Sequence, residues 1–148
     1  MPETNTDFYI TGPILALDLG EKLVGVAVSD ERLITTTPLA PLKRSNWKQL
    51  LRDVESLVTR FDAKALVIGL PLRLDGTCGD AADDISRLAG NFSKSLEIPV
   101  YLQDERLTSF AAREKLLSEG YSESEISKLI DGEAAALILR DFITSDGR

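Results

Sequence analysis

Short apolar runs alternate along this chain with longer segments whose apolar residues recur every three or four positions. Ile14-Leu15-Ala16-Leu17-Asp18-Leu19, bounded by Pro13 and Gly20, reads as a strand buried on both faces. After the turn Gly20-Glu21-Lys22, the run from Leu23 to Ser29 reads as its hairpin partner. β-Branched residues from Leu33 to Thr37 predict a third strand, and Pro38 and Pro41 are expected to stop the sheet. Trp47, Leu50, Leu51, Val54, Leu57, Val58 and Phe61 then share one helical face, with Ser45 or Asn46 as the N-cap and Trp47 as a core anchor. Ala65 to Leu70 is another buried strand, followed by a loop through Thr77.

A second helix carries Ile85, Leu88, Ala89, Phe92 and Leu96, and Pro99 to Gln103 forms a fifth strand ending at Asp104-Glu105-Arg106. The third helix starts near Ser109 and stops at Gly120, a favourable residue just past a helix end. Ser122 and Glu125 have capping-box spacing, and apolar positions continue from Ile126 to Phe142. Asp131-Gly132 interrupts that pattern and predicts a break, with Asp131 capping a final helix. The order is βββαβαβα with one more helix. It predicts an α/β fold whose mixed five-stranded sheet has an antiparallel meander of strands 1–3, then parallel strands, flanked by helices. Residues 1–12 are expected to be a flexible leader and 13–148 a single domain.

Composition narrows the chemistry more than the fold. One cysteine excludes an internal disulfide framework, and no run is long enough for a membrane span, so the expected location is the cytoplasm. The absence of histidine removes imidazole-based triads and His-ligated zinc. Catalysis must then use carboxylates, Lys or Arg, or a metal held by oxygen ligands. A formal charge of −7 opposes sequence-independent nucleic-acid binding by the chain as a whole, which leaves any such binding to local patches and metals.

Asp18 stands inside an otherwise apolar strand, where an ionised carboxylate is costly without a partner. Its alternative reading is a turn-capping acid at a strand end. Asp104 and Glu105 repeat the pattern at the end of the fifth strand, so two strands would bring carboxylates to one sheet edge. Asp131 fits equally well as an N-cap or as a third acid of that group. Three oxygen ligands with open positions suit Mg²⁺ or Mn²⁺, which engage phosphates and generate hydroxide without an imidazole. Lys22, Arg73, Arg106 and Arg113 lie in or near the surrounding loops, where they could contact phosphates or simply be solvated. Gly76-Thr77 could cradle a phosphate through backbone amides, although Asp75-Gly76 is first a turn. Cys78 reads as a small loop residue, and Glu123 to Glu125 as a solvated helix face.

Four blocks in this order carry a resemblance: Ala16 to Asp30 (ALDLGEKLVGVAVSD), Val67 to Thr77 (VIGLPLRLDGT), Asp104 to Ser109 (DERLTS) and Asp131 to Leu139 (DGEAAALIL). Together they resemble the signature blocks of the YqgF/RuvX family across residues 14–143. Members of that family are described as pre-16S rRNA nucleases or Holliday-junction resolvases. The resemblance implies an RNase H-like fold and a two-metal nuclease site using Mg²⁺ or Mn²⁺. It places the acidic ligands on Asp18, Glu105 and Asp131, and prefers Glu105 to its neighbour Asp104. Two departures remove positive charge: Leu23 follows Lys22 where the family has an arginine, and Ser122 to Ser127 replaces a basic segment.

The leading expectation is a metal-dependent endonuclease acting on structured RNA, in maturation of the 5′ end of small-subunit ribosomal RNA, with ribosomal precursor particles as a possible setting. A junction resolvase acting on branched DNA is the alternative with the same chemistry. A non-catalytic scaffold on a ribosome or nucleic acid is the alternative of another class. A sugar-kinase or actin-like ATPase would need two lobes, and 148 residues provide one. The assembly is expected to be a monomer or homodimer, with no membrane partner.

Overall fold

The computed structural model describes residues 10–71, 75, 79–105 and 108–145; the side chains at 108–112, 127–128, 130–132 and 145 lie outside that description. Most of the expected leader, residues 1–9, lies outside it as well.

β1 (Ile14–Leu19) pairs antiparallel with β2 (Leu23–Ser29), setting Leu17 opposite Val26 and Asp18 opposite Gly25. Both strands are apolar on both faces because helices cover each side of the sheet. β3 (Thr36–Lys43) runs antiparallel along the outer side of β2. This corrects the expected third strand at Leu33–Thr37 and the expectation that Pro38 and Pro41 end the sheet. Both prolines lie within β3, which is an edge strand with one side unpaired, where a missing N–H is tolerated. The register also shifts between Val24 and Val26, so Ala40 and Pro41 oppose Gly25 in a bulge.

α1 (Trp47–Phe61) begins at Asn46, whose side chain accepts a hydrogen bond from the Gln49 amide at 2.9 Å. β4 (Ala65–Leu70) then enters parallel to β1, α2 (Asp80–Ser95) crosses back, and β5 (Val100–Asp104) adds parallel to β4. The sheet order is β3-β2-β1-β4-β5, the mixed arrangement expected from the pattern. α3 (Thr108–Ser118) ends at Gly120, which takes the left-handed φ of 94° expected of a residue just past a helix end.

α4 (Glu123–Ser145) starts with a reciprocal capping box. The Ser122 amide donates to Glu125 Oε1 at 2.9 Å, and the Glu125 amide donates to Ser122 Oγ at 3.3 Å. The expected break at Asp131-Gly132 does not occur, because the helix is continuous. A glycine inside a helix costs about 1 kcal/mol relative to alanine. Packing of Ala134, Ala135, Ile138, Leu139 and Phe142 exceeds that cost, since all five are buried.

The two faces of the sheet carry separate cores. Leu15, Leu17, Val24, Val26, Leu66 and Ile68 pack on one side against Leu50 and Val54 of α1 and Ile85 and Phe92 of α2. Trp47 is a partly buried anchor of this core, edge-on to Phe92 with ring centroids 4.8 Å apart. Ile14, Ala16, Ala27, Ala65, Val67 and Tyr101 form the other side, beneath α4. Among the described residues no helix is long and apolar enough to cross a membrane.

Candidate active site

Strand alternation decides which way Asp18 faces. Ile14 and Ala16 point towards α4, and Asp18 continues that side at the carboxyl end of β1. Gly25 lies opposite it on β2. On the other neighbour, Leu17 is in register with Ile68, so Gly69 follows beside Asp18. Gly69 leaves a space: a Cβ there would lie 2.5 Å from Glu105 Oε2 and 2.6 Å from Ile138 Cδ1. The Glu105 side chain lies over this glycine, while the Glu105 amide continues the sheet by donating to the Leu70 carbonyl at 3.1 Å. A side chain from the end of β5 thereby crosses β4 to meet one from β1.

The two carboxyl groups interact directly. Burial pushes Glu105 up to about 9; the Asp18 charge, a side-chain hydrogen bond with Asp18 and the Asp104 charge push it the same way. None of these influences is cationic. Without a cation the pair holds a proton between two oxygen-donor groups, an arrangement in which a hard divalent ion can take the proton's place. The donor chemistry and the space over Gly69 therefore fit Mg²⁺ or Mn²⁺. Among the described residues, no group of three acids is placed to hold an ion.

The third expected ligand, Asp131, has its backbone within α4, seven residues before Ile138. Ile138 lies over Gly69, and Phe142 stacks at 5.3 Å on Tyr101, which pairs with Val67 further back along the sheet. α4 consequently runs opposite to β4 and β5. Two turns before Ile138, about 10 Å along the axis, the helix passes beyond the strand ends where Asp18 and Glu105 meet. The Asp131 side chain lies outside the described residues.

A cleft of about 550 Å³ opens across the same strand ends, lined by Gly20, Arg44, Pro71, Asp84, Ile85 and Glu105 among others. Arg44 was missed in the sequence because nothing local marks it. Its guanidinium Nη1 donates to the Gly20 carbonyl at 2.7 Å, and its amide donates to the Lys22 carbonyl at 2.9 Å. Gly20 in turn donates its amide to the Asp18 carbonyl at 3.1 Å. Arg44 thus ties the end of β3 to the turn beside Asp18 and brings a fixed positive charge to the cleft.

Of the other expected residues, Lys22 is exposed on that turn. Arg113 lies on α3, where its guanidinium pairs with Glu123 at 2.5 Å, an intramolecular partner for a side chain expected to meet phosphate. Arg73, Gly76, Thr77 and Arg106, with Cys78, lie outside the described residues.

Comparison with known proteins places these features in a wider set. The family model RuvX, described as Holliday junction resolvase, matches residues 12–145. A protein of Syntrophus aciditrophicus is 39% identical over 130 residues, covering 88% of this chain and 87% of its own length. One of Trichormus variabilis is 36% identical over 129 residues, covering 87% of this chain and 85% of its own. Both are named "Putative pre-16S rRNA nuclease". Among solved structures, T. thermophilus RuvC in complex with Holliday junction substrate aligns over 90% of this chain and 95% of its own, with TM-score 0.54 and 16% identity. The Fowlpox virus resolvase complex with substrate Holliday junction DNA aligns over 92% and 99%, with TM-score 0.55 and 17% identity. At those identities the likeness concerns the fold, which is RNase H-like.

Proposed function

Given that the chain belongs to the RuvX family, we propose that it is a divalent-metal-dependent endonuclease that hydrolyses phosphodiester bonds in 5′-end maturation of pre-16S rRNA. The observation that carries this reading is the Asp18–Glu105 pair, two carboxyl groups pressed together over Gly69 without a cation among the groups acting on Glu105. Asp18 and Glu105 would hold Mg²⁺ or Mn²⁺, with Asp131 as the third ligand. The bound metal supplies an activated water and charge neutralisation at the leaving oxygen. Asp18 is held by the β1–β2 and β1–β4 ladders, so its carboxylate reaches the metal without having to be ordered first. Glu105, lying over Gly69, would coordinate as the carboxylate, its proton released to solvent. Arg44 anchors the turn that follows Asp18 and offers its remaining N–H groups to a phosphate in the cleft. The relatives' names favour the ribosomal RNA precursor as substrate.

The test is cleavage of end-labelled precursor ribosomal RNA beside a four-way DNA junction, in Mn²⁺ and in EDTA, with Asp18→Asn as control. Metal-dependent cutting of the RNA that disappears in Asp18→Asn is expected, as is loss of the Mn²⁺-induced rise in Tm in that variant. Cutting of the junction alone would replace the RNA substrate with branched DNA. Failure to cut either while Mn²⁺ raises the Tm would leave a scaffold, and an undiminished Mn²⁺ effect in Asp18→Asn would remove Asp18 from the metal site.

A further inference from the structure

The chain carries 24 acidic residues against 17 basic, yet from Leu33 to Arg52 it has four cations and no acid. These are Lys43 at the end of β3, Arg44 at the cleft, and Lys48 and Arg52 on α1. Lys48 and Arg52 are one helical turn apart, about 6 Å along the axis, and therefore share a face. Lys43, Lys48 and Arg52 are exposed. Lys43 sits beside the β1–β2 turn, since it pairs with Leu23, and Arg44 bonds to the Lys22 carbonyl. Through Lys43 and Arg44 the positive segment reaches the cleft that contains Glu105, and Lys48 and Arg52 follow it on α1.

Four cations elsewhere have acidic partners, whereas Lys22, Arg32, Arg60, Lys94 and Arg140, which are scattered rather than grouped in sequence, have no ion pair among the described residues. Lys64 pairs with Asp62, Arg87 with Asp84, Arg113 with Glu123, and Lys115 with Glu119 and Glu133. Among the described residues no ion pair involves Lys43, Arg44, Lys48 or Arg52. Arg52 donates to Gln49 Oε1 at 3.0 Å, and the Gln49 amide nitrogen donates to Asp53 at 2.9 Å. Lys48 also lies in the first turn of α1, where a cation opposes the helix dipole; α2 and α4 place acids in that turn. Local helix stability does not explain a lysine there, whereas a polyanion lying across it does.

We infer that Lys43, Lys48 and Arg52 form the exit path of the substrate, carrying the phosphodiester backbone of a nucleic-acid strand away from the cleft and along the outer face of α1. The inference rests on the nuclease reading and adds the surface by which a net-acidic chain holds its polyanion. Charge complementarity and the reach of the segment to the cleft through Lys43 and Arg44 identify the occupant. Binding is electrostatic and independent of base sequence.

The experiment measures fluorescence anisotropy of a labelled single-stranded RNA and a labelled four-way DNA junction in EDTA, across a salt series. The triple variant Lys43→Gln, Lys48→Gln, Arg52→Gln is compared with the wild type and with Lys64→Gln, Arg87→Gln, which removes cations already paired. The strip variant is expected to bind at least about tenfold more weakly at low salt, with a log–log salt slope shallower by about 2, from roughly 0.7 per lost phosphate contact on a single strand. The control variant is expected to keep the wild-type slope, and all proteins the wild-type Tm. An unchanged slope in the strip variant, an equal change in the control, or a wild type that binds neither probe would each overturn the path. Strip-dependent binding without metal-dependent cleavage would support the path and overturn the nuclease. Metal-dependent cleavage with an unchanged strip slope would do the reverse.

Discussion

The two faces of the sheet bury similar strands with different materials. Against α1 and α2 the sheet presents leucine, isoleucine and valine, and the facing helices answer with Leu50, Val54, Ile85 and Phe92. Against α4 it presents Ala16, Ala27 and Ala65, met by Ala135 and Ala136 as well as by Ile138, Leu139 and Phe142. Bulk on the first face gives area and interdigitation, the main sources of stability. Small residues on the second let one long helix lie close, and at the strand ends alanine gives way to Gly25 and Gly69, where the carboxyl pair sits. The bulk of the stabilising core and the carboxyl pair therefore lie on opposite sides of one sheet, with the cleft opening at the strand ends, and substitutions deep in the first core should separate stability from chemistry.

Phe92→Ala tests the first face most severely. Phe92 is fully buried and touches Trp47, so truncation should cost about 3–5 kcal/mol in denaturant unfolding. The remaining folded protein should still cut its substrate, because no part of the site is altered. A loss of kcat in fully folded Phe92→Ala would break the separation. Gly69→Ala makes the converse test. Its Cβ would meet Glu105 and Ile138 at 2.5 and 2.6 Å, so stability should fall by about 1–3 kcal/mol. Activity and the Mn²⁺-induced rise in Tm should fall much further than that loss explains, and unchanged metal response would show that Glu105 does not need the space.

Glu105→Gln should change stability in the opposite sense, by an amount that grows with pH. The folded-state pKa of Glu105 is raised from 4.5 to about 9. Its favourable contribution is therefore complete below the unfolded value and is lost as pH rises towards the folded one. In metal-free protein the wild type should lose stability across that window, and Glu105→Gln should lose less, becoming the more stable of the two at its upper end. Parallel Tm-against-pH curves for the two proteins would contradict the electrostatic account.

The first face was legible in the sequence because bulk and period are local properties: β1, β2, β4 and the stripe of α1 fall where their apolar residues predict. The errors arose where a neighbour decides. Pro38 and Pro41 end a strand only if both sides must pair, and nothing local reveals that β3 is at the edge. Asp131-Gly132 carries a stop signal that the buried side chains following it outweigh. At the site, Asp18 and the Asp104-Glu105 pair stood out because a carboxylate at the end of an apolar run is costly without a purpose, and the choice of Glu105 over Asp104 came from the family resemblance. Gly69 was not, since a glycine in a strand gains meaning only when the residue lying over it is known. Arg44 escaped for a similar reason, as its partner Gly20 is 24 positions away. The side chains of Asp131, Arg73 and Arg106 lie outside the described residues; the expectation for Asp131 as a ligand comes from the family resemblance, and that for the two arginines from their place in loops near the site.

The bulged, proline-bearing outer strand has a consequence for how molecules of this protein meet one another. β3 exposes one row of backbone groups, and an unbroken row of that kind can template a strand from another copy. Pro38 and Pro41 remove two amides from β3, and the irregular register opposite Gly25 bends its line. A second sheet laid alongside would find its ladder interrupted, so the edge of this fold resists growth by strand addition even at high concentration.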